Sequence, residues 1–228
     1  MREQGYGTAW LLKSPDAAYT LMASEYFGQT FVELGGTVVV GRSYTMNQPD
    51  FSAIVITIQA LGPQPDAIVT RAWEPDFPAF IRALRGAGIT TPVLSANVLD
   101  TPTVRGLGDV VEGVVHTSGG FAEEGSGHAD FNAPFEAATD AVADTNYHVN
   151  GCDILGMIDA AVRAAGSTDF RAVRDALANL PETERIMSSC TFAGTDRMPL
   201  RSVVLAHRGG EKVLIRCEVA DSELVAEP

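Results

Sequence analysis

The stretch DAIVTRAWEPDFPAFIRALRGAGITTPVL, residues 66–94, decides the fold. Residues 67–70 are a short apolar run, of the kind that a strand covered on both faces requires. Beyond Pro75 the apolar residues recur at helical spacing, with Phe77, Phe80, Ile81 and Leu84 on one side, and GAG at residues 86–88 closes the helix. A second apolar run follows at residues 93–95. Strand, helix and strand within about 30 residues make a βαβ unit, and its two strands must be parallel. Trp73 stands where the first of these strands gives way to its loop. The largest side chain of the alphabet at the mouth of a strand suggests a gripping surface.

The same cadence extends in both directions. Residues 9–12 read as a buried strand, and a helix from Asp16 carries Ala23, Phe27, Phe31 and Leu34 on one face. Gly35 and Gly36 end it as a left-handed cap would. Residues 37–40 are β-branched and continuous, a second strand. Asp50 is placed to cap a helix with inner face Ile54, Ile58 and Leu61, which Pro63 and Pro65 stop. A short helical segment begins at Thr101, and residues 113–117 form a fifth strand. Strands and helices alternate without a shared repeat, so the expected fold class is α/β, a doubly wound parallel sheet.

After Ser118 the character changes. GGFAEEGSGHADFNAP, residues 119–134, reads as a connection. Two or three helices are expected beyond it. The first holds Phe135 and Val142; the second runs from Tyr147 with Ile154, Leu155, Ile158 and Val162 on a stripe; the third runs from Asp169 with Val173, Leu177 and Leu180. Residues 202–207 and 213–218 flank RGGE as a terminal hairpin. The organisation expected is a lobe over residues 1–118, a helical segment over 119–190, and strands over 191–228 that return to the lobe.

The chain has 228 residues, 46% of them hydrophobic, and a net charge of −13. An excess of acid on that scale repels phosphate backbones, so nucleic acid is not an expected partner. No apolar run reaches the roughly 20 residues of a spanning helix. The start, MREQGYGTAWLLKSPD, does not read as a secretory leader, since Lys13 and Pro15 cut its apolar piece short. Cys152, Cys190 and Cys217 read as scattered thiols, with a bridge between Cys190 and Cys217 as the alternative for an exported protein.

In an open parallel sheet, ligands bind beyond the carboxyl ends of the strands where the strand order reverses. In the order 2-1-3-4-5 that point lies between the first and third strands. The loops leaving them are KSPDAAYT and TRAWEPD, which bring Tyr19 and Trp73 to one crevice. The loop after the fourth strand adds Ser95, Ala96 and Asn97. Trp73 stapling its own loop and Asn97 filling a turn are the plainer structural readings. There is no G-x-S-x-G elbow, phosphate loop or H-E-x-x-H, and GLGDVVEG precedes a strand where a dinucleotide fingerprint would follow one. His116, His128, His148 and His207 are isolated in sequence and read as surface or loop residues, and Asp196 as a turn residue. No nucleophile or base stands at the strand ends, so an enzyme is not expected.

Several motifs then fall in one order: AAYT with Tyr19, GGTVVV from Gly35, DFS at 50–52, PDAI at 65–68, and RGAGI from Arg85 followed by Pro92. EGVV from Glu112, GCDILGMIDAAVRAAGSTD from Gly151 and TFAGTDRMPLRSVVL from Thr191 continue it. In these the chain resembles the second lobe of type I periplasmic solute-binding proteins, of the branched-chain amino acid (Leu/Ile/Val-binding-like) branch that serves ABC importers. The resemblance implies no cofactor, a small amino-acid-like solute as ligand, an ABC permease as partner, and a periplasmic or membrane-attached extracellular location. It also implies a first lobe that would precede this chain, and that the helices over residues 147–180 would pack against it and otherwise expose an apolar stripe. Tyr19 and Trp73 match the family's ligand-contacting aromatics. Asn97 stands where amino-acid-binding members carry an acid for the ligand's ammonium, which Glu74 could replace; an amide, a carboxylate or an aromatic ligand is the other possibility. The same fold also serves as the sensing domain of receptors and of amide-responsive regulators.

Overall fold

The computed structural model describes residues 4–193 and 201–219. The chain divides into two compact units, one of Met1–His116 with Ala206–Val213, the other of Thr117–Leu205 with Leu214–Pro228.

The first unit is built on parallel strands. β1 (Thr8–Lys13), β2 (Thr37–Ser43), β3 (Ala67–Thr70), β4 (Val93–Ser95) and β5 (Val114–Ser118) alternate with α1 (Ala18–Glu33), α2 (Ser52–Gln59), α3 (Asp76–Gly86) and a short α4 (Pro102–Arg105). With β6 (Arg201–Arg208) and β7 (Glu211–Val219) they form one sheet in the order β2-β1-β3-β4-β5-β6-β7. β1 therefore has β2 on one side and β3 on the other, both parallel. The order reverses there, as the doubly wound pattern requires.

Successive strand residues point to opposite faces, and the two faces are unequal. Trp10, Leu12, Ile68 and Val93 meet Ile54 and Ile58 of α2 and Phe77, Phe80, Ile81 and Leu84 of α3 in a large core. Ala9, Leu11, Val69 and Leu94 meet Phe27 and Phe31 of α1 in a small one. The buried line of α1 is Thr20, Ser24, Gly28 and Phe31. Small residues let the helix lie close: a Cβ on Gly28 would come within 3.2 Å of Leu11 Cδ1. Leu34, expected on this face, is exposed; it is the C-cap residue, where the helical rotation has ended. Gly35 follows at φ +86°, the left-handed stop.

Other local expectations need correction. Asp50 does not cap α2: its carboxylate accepts from Ser52 N at 2.9 Å and Ser52 Oγ at 2.6 Å, and the cap position is Phe51. Three of the four histidines lie inside rather than on the surface, His116 at 1%, His128 and His207 at 3% exposure. His116 and His207 occupy neighbouring strands with ring centroids 5.4 Å apart. Beside them Lys212 Nζ lies 2.6 Å from buried Asp100 Oδ1. Burial, then the His116 ring and the Lys212 ammonium, push the His207 pKa down to about 4, against a smaller pull from Asp100. The hairpin turn is Gly209 and Gly210, both at positive φ, the geometry a two-residue hairpin demands.

In the second unit, α5 (Gly127–Thr139) starts where Ser126 Oγ accepts from Ala129 N, and ends at Asp140 with φ 57°. Val142 lies beyond that stop and is exposed, so it does not share a helix with Phe135. α6 (Asn146–Ala165) buries Val149, Asp153, Met157 and Ala161 and exposes Ile154, Leu155 and Ile158. Asp153 accepts from Ile186 N at 2.8 Å and Met187 N at 3.2 Å, pinning that segment to the helix. α7 (Phe170–Ala178) is capped by Asp169, which accepts from Arg171 N and Ala172 N. Cys190 is buried, Cys152 and Cys217 are exposed, and none of the three forms a disulfide. Asp196 and much of the TFAGTDRMPL motif lie outside the described residues.

Candidate functional site

The loops that leave β1, β3 and β4 converge where the strand order reverses. Tyr19 sits in the first turn of α1 and Trp73 in the loop between β3 and α3. Their rings stack with centroids 5.9 Å apart and planes 23° from parallel, the offset arrangement that aromatic quadrupoles favour. Tyr19 Oη donates to Asn97 Oδ1 at 3.2 Å. Asn97 opens a 3-10 turn, Asn97–Leu99, directly after β4. Three residues from three loops thus form one chain of contacts. Tyr19 and Trp73 are half-buried and Asn97 is exposed, so the group has an open side.

The remaining candidates contribute differently. Ser95 ends β4, is 6% exposed, and its Oγ has no hydrogen-bond partner. Ala96 is half-buried in extended backbone and links the strand to the Asn97 turn. The Glu74 carboxylate accepts a short hydrogen bond from Thr101 Oγ1, the cap of α4. It therefore ties two loops together. Two further carboxylates brace the rim: Asp16 accepts from Met46 N at 2.8 Å, and Asp76 from Asn47 N at 2.8 Å. Burial holds the Asp76 carboxyl above its ordinary range, and burial does the same to the Tyr44 phenol, with Asp76 and Asp16 adding to it.

One residue of this region carries no sequence signal. Arg71 follows β3, two residues before Trp73. Its guanidinium carbon lies 6.0 Å from the centre of the Phe27 ring on α1. Burial lowers the Arg71 pKa, and the nearby Tyr19 phenol opposes that shift. The Tyr19 phenol is itself raised by burial and pulled back by Arg71. Arginine beside a strand end ordinarily reads as a solvated charge, and only the fold shows it lying along α1.

The arrangement can hold a flat or apolar body against two rings and offer it an amide and an arginine. It contains no nucleophile paired with a base. Among the described residues, no group of three His, Cys, Asp or Glu side chains could hold a metal ion.

A profile of the family described as "Periplasmic binding protein" matches residues 1–209. Among solved structures, the leucine binding protein LivK of Thermotoga maritima aligns with TM-score 0.85 at 19% identity, covering 97% of this chain and 63% of that one. A putative branched-chain amino acid ABC transporter protein of Rhodospirillum rubrum aligns with TM-score 0.75 at 25% identity, over 94% and 62%. A solute binding protein of an ABC transporter from R. palustris, in complex with benzoate, aligns with TM-score 0.82 at 20% identity, over 96% and 61%. The chain spans less than two thirds of the length of these proteins. No curated protein matches by sequence.

Proposed function

The chain belongs to the periplasmic binding protein family, and from that premise we propose that it is the solute-binding component of an ABC importer, holding a small amino-acid-like, amide or carboxylate solute against Tyr19 and Trp73. The observation that carries the reading is the stacked pair itself, linked to Asn97 at the carboxyl ends of β1, β3 and β4. Stacked rings bury apolar area while the phenol and indole keep a polar edge for the ligand. Ser95 and Ala96, which lead from β4 into the Asn97 turn, would border the solute, and Glu74 positions the loop through Thr101. The other wall of the cleft would come from a further lobe, and closure about a hinge would trap the solute and present a surface to the permease. Relatives named for leucine or holding benzoate mark the range of ligand size. The protein would work in the periplasm or outside the membrane; among its described residues no helix is long and apolar enough to cross one.

The test is calorimetric titration of the full two-lobe protein with its ligand. Trp73→Ala and Tyr19→Ala are each expected to weaken binding tenfold or more, about 1.4 kcal/mol. Unchanged affinity in both variants would remove the site assignment.

A further inference from the structure

We propose that Arg71 is an anion receptor and that the solute presents a carboxylate, not an ammonium group, to this lobe; the inference rests on the solute-binding reading above and sharpens it. The starting point is a charge without a counter-charge. The chain carries 29 acidic and 16 basic residues, so an acid is the easiest partner for any arginine to find. Arg42 and Arg82 of this unit are exposed to water, and three other cations find an acid or several carbonyls. Lys13 Nζ lies 2.8 Å from Glu25 Oε1 and Lys212 Nζ 2.6 Å from Asp100 Oδ1. Arg85 donates to the carbonyls of Ile89, Thr91 and Glu112. Arg71 makes a single hydrogen bond among the described residues, from Nη1 to the carbonyl of its neighbour Thr70 at 3.2 Å.

A guanidinium has five N–H donors in a planar fork that matches a carboxylate. The Phe27 ring at 6.0 Å supports its face but accepts none of those donors, and a cation over a ring at that range is a weak contact. Partial burial removes water from the group, and burial is the first cause lowering its pKa. A charge in that condition favours an incoming anion.

Position makes the anion a ligand group. Arg71 is two residues from Trp73, and its charge is felt by the Tyr19 phenol. Asn97, bonded to that same phenol, offers an amide with no net charge. An ammonium brought here would meet the arginine, while Asn97 is neutral and the Glu74 carboxylate already shares one oxygen with the Thr101 hydroxyl. A carboxylate on a flat or apolar body satisfies both the rings and the charge: the body against the rings, the acid on the guanidinium.

The experiment titrates the full two-lobe protein, wild type, Arg71→Gln and Arg71→Lys, with two matched pairs and a zwitterion: benzoate and benzamide, phenylacetate and phenylacetamide, and leucine. For the pair that binds, wild type is expected to favour the acid over its amide by 30-fold or more. Arg71→Gln is expected to reduce that ratio below threefold while still binding the amide, and Arg71→Lys to keep at least a tenfold preference. Amide and acid binding wild type equally would overturn the inference, and so would an acid preference that survives in Arg71→Gln. Leucine binding best and unaffected by Arg71→Gln would overturn it while leaving the solute-binding reading intact. Binding of none of the five would count against both. Should Arg71→Gln fail to fold by circular dichroism, the wild-type acid-to-amide ratio and the Arg71→Lys titration decide alone.

Discussion

The two faces of the parallel sheet are built from the same strands and serve opposite ends. One face presses Trp10, Leu12, Ile68 and Val93 onto α2 and α3, with Phe77, Phe80, Ile81 and Leu84 all fully buried. The other offers Ala9, Leu11, Val69 and Leu94 to α1, whose buried line is mostly hydroxyls and glycine. Hydrocarbon on the first face carries the stability. The second face spends its large side chains elsewhere: Tyr19 at the helix start meets Trp73, and Phe27 lies under Arg71. A helix held by small residues stays close to the sheet while its longer side chains reach the strand ends. The difference teaches that the proposed recognition site sits on the lightly packed side.

The largest expected effect breaks that contrast if it fails. Phe80→Ala should cost about 3–5 kcal/mol, and Phe27→Ala about 1–2 kcal/mol because its ring is only half-buried; urea unfolding measures both, and equal losses would erase the distinction between the faces. The thick face has a second test at its far end, where the strands carry imidazoles. His116 lies two residues beyond Val114 and so shares its face, and His207 faces it. His207 stays neutral in the fold down to about pH 4, whereas an unfolded chain takes up that proton near 6.5. Stability should therefore be intact above pH 6.5, fall by about 1–3 kcal/mol as pH drops from there toward 4, and level off below. His207→Gln should flatten that slope in melts run across the range; an unchanged slope would discharge the pair of this role.

Smaller effects sharpen the thin side. A Cβ on Gly41 would lie 2.2 Å from the Leu11 carbonyl oxygen, so Gly41→Ala should cost roughly 1–3 kcal/mol by the same unfolding assay; a neutral result would mean β2 shifts freely. Tyr19→Phe removes only the bond to Asn97 at an exposed edge. It should weaken ligand binding by about twofold, on the order of 0.5 kcal/mol, far less than Tyr19→Ala; parity of the two would show that the phenol, not the ring, does the holding.

What the sequence revealed follows the same division. The thick face was legible because its residues are apolar at the right period: Phe77, Phe80, Ile81 and Leu84 could be read straight off residues 66–94. The strand order and the meeting of the Tyr19 and Trp73 loops followed from the doubly wound pattern, since chain direction in such a sheet fixes which loops share an edge. On α1 the reading slipped, because Thr20, Ser24 and Gly28 do not announce an inward face and Leu34 does. His116 and His207 were misplaced for a related reason: polar letters in a strand look like loop, and only pairing between β5 and β6 shows that they are enclosed, whereas His128 is buried in α5 with Nε2 2.7 Å from the Ala143 carbonyl. Arg71 was invisible because what marks it is that no acid is paired with it among the described residues, and partners are a property of the folded neighbourhood.

The edge of the sheet at β2 has its own consequence. Trp10 pairs with Val39 and Leu12 with Arg42, so β2 carries an extra residue between those two pairs. That surplus residue bends the strand and leaves Val40 71% exposed on the outermost strand. A foreign strand seeking to zip along this border would meet a break in the hydrogen-bonding ruler after a few residues. Irregularities of this kind are one way in which edge strands resist pairing with a further strand, and here it falls in an edge strand rich in valine.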